Sequence, residues 1–161
     1  MIVIFCGIPA CGKSTAAEKL TRRLDDLDID YKLLVSDEIS DKVYEKIFRF
    51  IEDNIIQTDY LIVDATFYKE KWRDRVRNIV QGNNEKLLTV YLRCRLETAL
   101  RRNDRRKENK VSEKAIHIIN EELERPNNPD LEINTDETEP EQIVHMILGK
   151  LPISELEEQN N

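Results

Sequence analysis

The chain is poor in the residues that mark several common functions. It has three cysteines, Cys6, Cys11 and Cys94, among 161 residues. An odd count with no C-x-x-C spacing excludes a disulfide framework and a thiolate zinc site, and it suits a reducing compartment. The two histidines, His117 and His145, have no ligand-like neighbours in sequence and read as helix-surface or packing residues. No apolar run approaches the roughly 20 residues needed to cross a bilayer, so no membrane partner is expected. The opening run Met1–Cys6 lacks a basic leader and a small-residue cleavage site, so no export signal is expected either. The expectation is a soluble cytoplasmic protein, monomer or homodimer. There is no internal repeat and no low-complexity linker. An excess of positive charge is missing too: 32 acidic residues outnumber 25 basic ones, for a net charge of −7. That disfavours a general nucleic-acid coat protein.

What the chain does have is local contrast. Positive charge gathers in two islands, Lys69 to Arg77 and Arg93 to Lys110, on an otherwise acidic background. Two basic islands on an acidic protein suggest anionic ligands bound at one place.

The hydrophobic pattern alternates short apolar runs with helical stripes. Strands are expected at Ile2–Cys6, Tyr31–Val35, Tyr60–Asp64, Lys86–Leu92 and Leu131–Asn134. Helices are expected at Ser14–Leu27, Ile39–Ile56, Lys69–Val80 and Leu96–Arg106. Two more should follow, one capped by Ser112 and one opened by a Thr138-x-x-Glu141 capping box and running to about Leu151. Val43, Ile47, Ile51 and Ile55 fall on one helical face and read as core. Strands alternating with helices predict an α/β fold, a parallel sheet covered on both faces. Length and pattern suit one domain over residues 1–151, with an acidic tail at 152–161.

Between the first strand and the first helix stands Gly7-Ile8-Pro9-Ala10-Cys11-Gly12-Lys13-Ser14, a full match to G-x-x-x-x-G-K-[ST]. The strand before it and the helix after it are the context this motif requires. The chemistry explains the residue types. The loop from Gly7 through Thr15 must wrap a phosphate with the backbone N–H groups it has, all but that of Pro9, so glycine is needed where a Cβ would collide. The helix N-terminus adds partial positive charge. Lys13 would reach the β- and γ-phosphates, and the Ser14 hydroxyl would ligate Mg²⁺. Cys11 reads as a small filler within the loop. The implied ligand is a nucleoside triphosphate, ATP with Mg²⁺.

Other residues have two readings each. Asp64 ends an apolar strand, where a carboxylate can hold Mg²⁺ or cap the next helix. Asp37, just after the second strand, is a candidate base for an acceptor hydroxyl or a second helix cap. Arg102 and Arg106 share a helix face and could close over a triphosphate as bidentate cations. Alternatively they belong to an exposed helix paired with Asp104 and Glu108. Tyr68, Trp72, Arg73 and Arg77 could bind an anionic acceptor, with an aromatic ring stacked on a base. Otherwise they form an ordinary amphipathic helix surface with Trp72 partly in the core.

The P-loop, Asp37, Val63-Asp64-Ala65-Thr66-Phe67-Tyr68, and Leu100-Arg101-Arg102-Asn103 with Arg106 together resemble the small P-loop kinases. These include adenylylsulfate kinase, the archaeal seryl-tRNA(Sec) kinase and polynucleotide 5′-hydroxyl kinase. The resemblance spans roughly Met1 to Leu151. Trp72-Arg73-Asp74-Arg75-Val76-Arg77 resembles the arginine-bearing helix of adenylylsulfate kinases, and Asn128 to Asp136 resembles their late strand near the adenine, which brings in Thr135. Ser36-Asp37-Glu38, Ala65-Thr66-Phe67-Tyr68 and Arg102 through Val111 look closer to the seryl-tRNA kinase, which carries an additional C-terminal region beyond the length of this chain.

The resemblance implies a three-layer P-loop NTPase with a five-stranded parallel sheet and a short helical lid at about residues 101–125. It also implies that γ-phosphate passes from ATP to an alcohol of an anionic or nucleotide-like acceptor, adenylylsulfate foremost, with RNA as the alternative. Lys13, Asp37, Arg102 and Arg106 would act in catalysis. An ATP-binding switch without an acceptor is the contrasting expectation.

Overall fold

A computed structural model of the protein describes residues 1–153. Five strands and six α-helices alternate along it. They are β1 (Ile2–Cys6), α1 (Lys13–Asp26), β2 (Tyr31–Val35), α2 (Val43–Asn54), β3 (Tyr60–Asp64), α3 (Glu70–Gly82), β4 (Leu87–Arg93), α4 (Leu96–Asp104), α5 (Glu113–Glu122), β5 (Leu131–Asn134) and α6 (Pro140–Leu148). The strands form one parallel sheet in the order β2-β3-β1-β4-β5.

Every residue of β1 and β3 is buried, as an unbroken apolar run in a sheet covered on both faces requires. Side chains alternate across the sheet, so β1 serves two cores. Val3 and Phe5 join Leu20 and Leu24 of α1, Ala99 of α4, Ile116 of α5 and Ile143 of α6. Ile2, Ile4 and Cys6 join Ile47 and Ile51 of α2 and Val76 and Ile79 of α3. Burial pushes the Cys6 thiol up to about 12, so it is a neutral packing group.

The chain after β1 therefore turns to one face and the chain after β3 to the other. The neighbouring carboxyl ends of β1 and β3 are the point where the winding reverses, the place where open α/β sheets leave a crevice for ligands.

Three element expectations shift. The helix expected over Ile39–Ile56 is shorter. Ser36–Glu38 is a 3₁₀ turn, Lys42 takes a left-handed conformation (φ 47°), and α2 begins only at Val43. Ser40 and Asp41 favour turns over helix, and the apolar stripe itself begins at Val43. The capping box of α6 sits one residue later than expected, with Glu139 as N-cap and Gln142 as its partner. Pro140 takes the first helical position, where its missing N–H costs nothing, and this fixes Glu139 as the cap. The same helix ends at Leu148, short of Leu151. The expected acidic tail falls, from residue 154 onward, outside the described residues. Among the described residues, no helix is long and apolar enough to cross a membrane.

Candidate active site

The P-loop occupies the turn from β1 into α1. Gly7 has φ +142°, and a Cβ there would stand 2.2 Å from the Leu92 carbonyl oxygen, so only glycine fits. Gly12, with φ +108°, is the N-cap of α1. No side chain caps this helix and its first turn holds no acid. Its N-terminal N–H groups and dipole are thus left for an anion. Lys13 is buried, and its ammonium donates to the carbonyls of Gly7 (3.0 Å) and Ile8 (2.8 Å). The Gly7 N–H donates to Thr66 O at 3.0 Å, tying the loop to the segment after β3.

Asp64 ends β3 at the winding reversal, 3% exposed. It does not cap α3, whose N-cap is Lys69. Burial pushes its carboxyl above the usual carboxylate range, while the nearby Lys13 ammonium and a hydrogen bond from the Ser14 hydroxyl pull it back down. Among the described residues, its Oδ2 is buried without a hydrogen-bond partner. A buried carboxylate oxygen with no partner beside a serine hydroxyl suits Mg²⁺. That ion takes one or two protein oxygens and fills its other positions with water and phosphate. Ser14 and Asp64 thus fit the metal expected from the sequence.

Asp37 does not cap α2 either. It lies exposed on the 3₁₀ turn after β2, and the cap of α2 is Lys42. Asp37 lines a cavity of about 270 Å³ together with Lys13, Ser14, Asp64, Thr66 and Tyr68. A second cavity, of about 480 Å³, runs from Gly12 and Thr15 past Arg102, Thr135 and Thr138 to Ile143. Ala10 and Arg106 line both, so the two spaces meet at the P-loop and at Arg106. A third groove, between α1 and α6, has charged walls paired with each other, as in Lys19 with Glu141 at 2.5 Å, and lies apart from this site.

Helix α4 ends at Asp104, so Arg106 lies beyond it and does not share a helix face with Arg102; neither pairs with Asp104, whose carboxylate takes Lys110 at 2.8 Å. Arg102 donates to Thr135 Oγ1 (2.9 Å), Thr135 O (2.8 Å) and Cys11 O (3.4 Å). Arg106 donates to Asn109 O at 3.3 Å in the loop beyond the helix.

The second basic island is where the structure departs from the sequence reading. Tyr68 lines the 270 Å³ cavity, but Trp72, Arg73 and Arg77 do not. Trp72 stacks on Tyr44, ring centroids 3.6 Å apart and planes within 11°. Arg73 is 0% exposed. It donates to Phe67 O and to Glu124 O (2.6 Å), and Nε reaches Glu70 at 3.0 Å. Arg77 pairs with Glu70 and with Asp74 (2.6 Å). A buried guanidinium must spend its donors on internal acceptors, so Arg73 is a structural clamp between the β3–α3 loop and the end of α5.

Three residues near the site were given no role from the sequence, although Thr66 and Asn103 lie in segments that carried the resemblance. Tyr44 stands one position off the α2 stripe. Its hydroxyl accepts from Phe67 N (3.0 Å) and lies 3.1 Å from Thr66 Oγ1. Asn103, 1% exposed, pairs through both amide ends with the Val111 backbone (2.7 and 2.9 Å), closing the loop between α4 and α5. A buried asparagine at a helix end has no one-dimensional signature. Thr66 follows Asp64 by two and sits in a segment that carries the resemblance, its two signals.

Comparison with known proteins agrees with this geometry. A family model described as AAA_33, AAA domain, matches residues 2–126. The chain belongs to this family of P-loop kinases. It is 30% identical over 171 aligned positions to a probable adenylyl-sulfate kinase of Halalkalibacterium halodurans, covering 96% of this chain and 84% of that one. It is 26% identical over 155 positions to the L-seryl-tRNA(Sec) kinase of Methanococcus maripaludis, covering 85% of this chain; it spans only 60% of that relative's length. Its fold is similar to the Mycobacterium tuberculosis APS kinase CysC in complex with AMPPNP and APS, with TM-score 0.71 at 22% identity, covering 91% of this chain and 94% of that one. The homologous enzymes are kinases, and this family member has the P-loop architecture they share.

Proposed function

We propose that the protein is an ATP-dependent phosphotransferase that moves the γ-phosphoryl group to an alcohol. The observation that carries this reading is the pairing of two cavities at one P-loop, with a free carboxylate, Asp37, on the wall of the one that holds Asp64 and Lys13. A nucleotide switch has no need of an acceptor space beside the 480 Å³ cavity; the 270 Å³ cavity, with a base candidate on its wall, suits an acceptor.

ATP lies with its base and ribose in the 480 Å³ cavity, against Arg102, Thr135 and Ile143. Its phosphates rest on the P-loop backbone and the N-terminus of α1. Lys13 turns its ammonium to the β- and γ-phosphates. Ser14 and Asp64 would hold Mg²⁺, and the ion would supply positive charge against the phosphate oxygens. The acceptor alcohol enters the 270 Å³ cavity. Asp37 takes its proton as the new O–P bond forms, and the bond from γ-phosphorus to the bridging oxygen of ADP breaks. Arg106, where the cavities meet, steadies charge on the transferring group. Chemistry of this kind is mostly positioning and charge stabilisation.

The names of the relatives offer two acceptors, adenylyl sulfate and seryl-tRNA(Sec). The test is transfer from γ-labelled ATP to adenylyl sulfate, seryl-tRNA and a 5′-hydroxyl oligonucleotide. A labelled product that disappears in Asp37→Asn supports the kinase reading. ATP consumption that no acceptor and no change at Asp37 alters would favour a nucleotide switch.

A further inference from the structure

We infer that the part of the acceptor entering the 270 Å³ cavity is an uncharged alcohol with apolar surface, not a phosphate ester, a sulfate ester or a carboxylate. This rests on the kinase reading above and narrows it. Among the described residues lining the cavity, the cations are Lys13 and Arg106 and the anions are Asp37 and Asp64. The four charges cancel. Both cations also have work elsewhere, Lys13 on the ATP phosphates and Arg106 at the junction. Seating Mg²⁺ with a fully ionised ATP adds a net negative charge. A second anion brought beside it would meet two carboxylates and a polyphosphate with no free cation to answer them.

The arginines that the sequence offered for an anionic acceptor are committed internally. Arg73 is buried against Phe67 O, Glu124 O and Glu70, and Arg77, which is partly exposed, is paired with Glu70 and Asp74. Freeing Arg73 would leave two backbone carbonyls without its donors and would loosen the loop that carries Tyr68.

What remains of the wall favours a neutral guest. Val43, Val111 and Ile119 supply apolar surface, and Tyr44 and Tyr68 supply rings. Tyr44 is held rigid by its stack on Trp72 and by its hydroxyl contacts to Phe67 N and Thr66. Ser36 and Thr66 add hydroxyls that can donate to or accept from an alcohol without a charge. The volume, about 270 Å³, is at the small end for a ligand pocket and suits a compact alcohol-bearing group.

The test uses matched pairs that differ in one anionic group: adenosine and adenosine 5′-monophosphate, glucose and gluconate, N-acetylserine methylamide and N-acetylserine. Transfer from labelled ATP is measured on the full chain. In parallel, the emission of Trp72, the single tryptophan, is titrated with each compound in the presence of Mg²⁺ and a non-hydrolysable ATP analogue. The expected result is that the neutral member of at least one pair is phosphorylated with a kcat/KM about tenfold or more above its anionic partner, and perturbs Trp72 at correspondingly lower concentration. Equal use of both members, or preference for the anionic one, overturns this inference and leaves the kinase reading intact. No transfer and no Trp72 response with any pair, while ATP is consumed, overturns the kinase reading and this inference with it.

Discussion

The Arg102 guanidinium grips Thr135 twice, at Oγ1 and at the backbone oxygen, and Thr135 Oγ1 in turn donates to Cys11 O at 2.8 Å. Helix α4, the turn after β5 and the P-loop are thereby fastened together behind the nucleotide cavity. Arg102 is thus placed to shape the site for ATP. Arg106, just past the end of α4, lines the acceptor cavity as well.

A contrast between the two arginines follows. Arg102→Ala should raise KM for ATP about tenfold or more with a smaller fall in kcat, because the wall it braces binds substrate and transition state alike. Arg106→Ala should lower kcat about 100-fold or more with little change in KM, because its charge matters most while the phosphoryl group is in transit. Steady-state kinetics of both variants against ATP separates the roles. The reverse pattern would exchange them.

Asp64 gives a prediction with a sign in pH. Burial holds its folded-state pKa above the ordinary range, so the fold favours the protonated form. That preference stabilises fully below the unfolded-state pKa and is lost as pH rises through the raised pKa. At neutral pH the buried, ionised carboxylate therefore costs stability when no Mg²⁺ is added. Asp64→Asn should raise Tm at neutral pH without Mg²⁺, by a margin that shrinks on acidification. The same change should cut Mg²⁺-dependent turnover by about 100-fold or more. Thermal melts across pH, paired with Mg²⁺ titrations of activity, check both halves. A lower Tm at every pH would mean that the carboxylate serves the fold instead.

The sheet was readable because β1, β3 and β4 are short apolar runs with turn residues at their ends, and a parallel sheet buried on both faces demands just that pattern. The P-loop was readable because its residue types are forced by local geometry; Gly7 has no room for a Cβ. Asp64 and Asp37 were each legible only as a choice between metal or base and helix cap. That choice turned on where α2 and α3 begin, which is set by a left-handed Lys42 and by Lys69, and neither residue announces itself as a cap. Arg73 was misread for a related reason. Along α3 it looks like its exposed neighbours Asp74 and Arg75, and only the arrival of Glu124, 51 residues away, buries it.

Removing Arg73 should then be a stability experiment. Arg73→Met keeps the volume and deletes the donors, leaving Phe67 O, Glu124 O and Glu70 without them. The expected loss is about 3 kcal/mol in urea unfolding. Loss of affinity for one anionic acceptor with unchanged stability would restore the substrate-binding role expected from the sequence.

Asp37 allows its two readings to be separated. A base that accepts the alcohol proton contributes about 10²- to 10⁴-fold to the rate. A helix cap contributes about 1 kcal/mol to stability when compared with alanine. The 3₁₀ turn puts Asp37 six residues before the start of α2, out of capping range, and leaves it exposed on the cavity wall. Asp37→Asn should therefore lower kcat by at least about 100-fold while KM for ATP stays within about twofold. Asp37→Ala should leave the unfolding free energy within about 0.5 kcal/mol of the parent, as for a surface change away from any cap. A stable alanine variant that still transfers phosphate at the parental rate would remove Asp37 from the chemistry and return the proton to water or to the γ-phosphate itself.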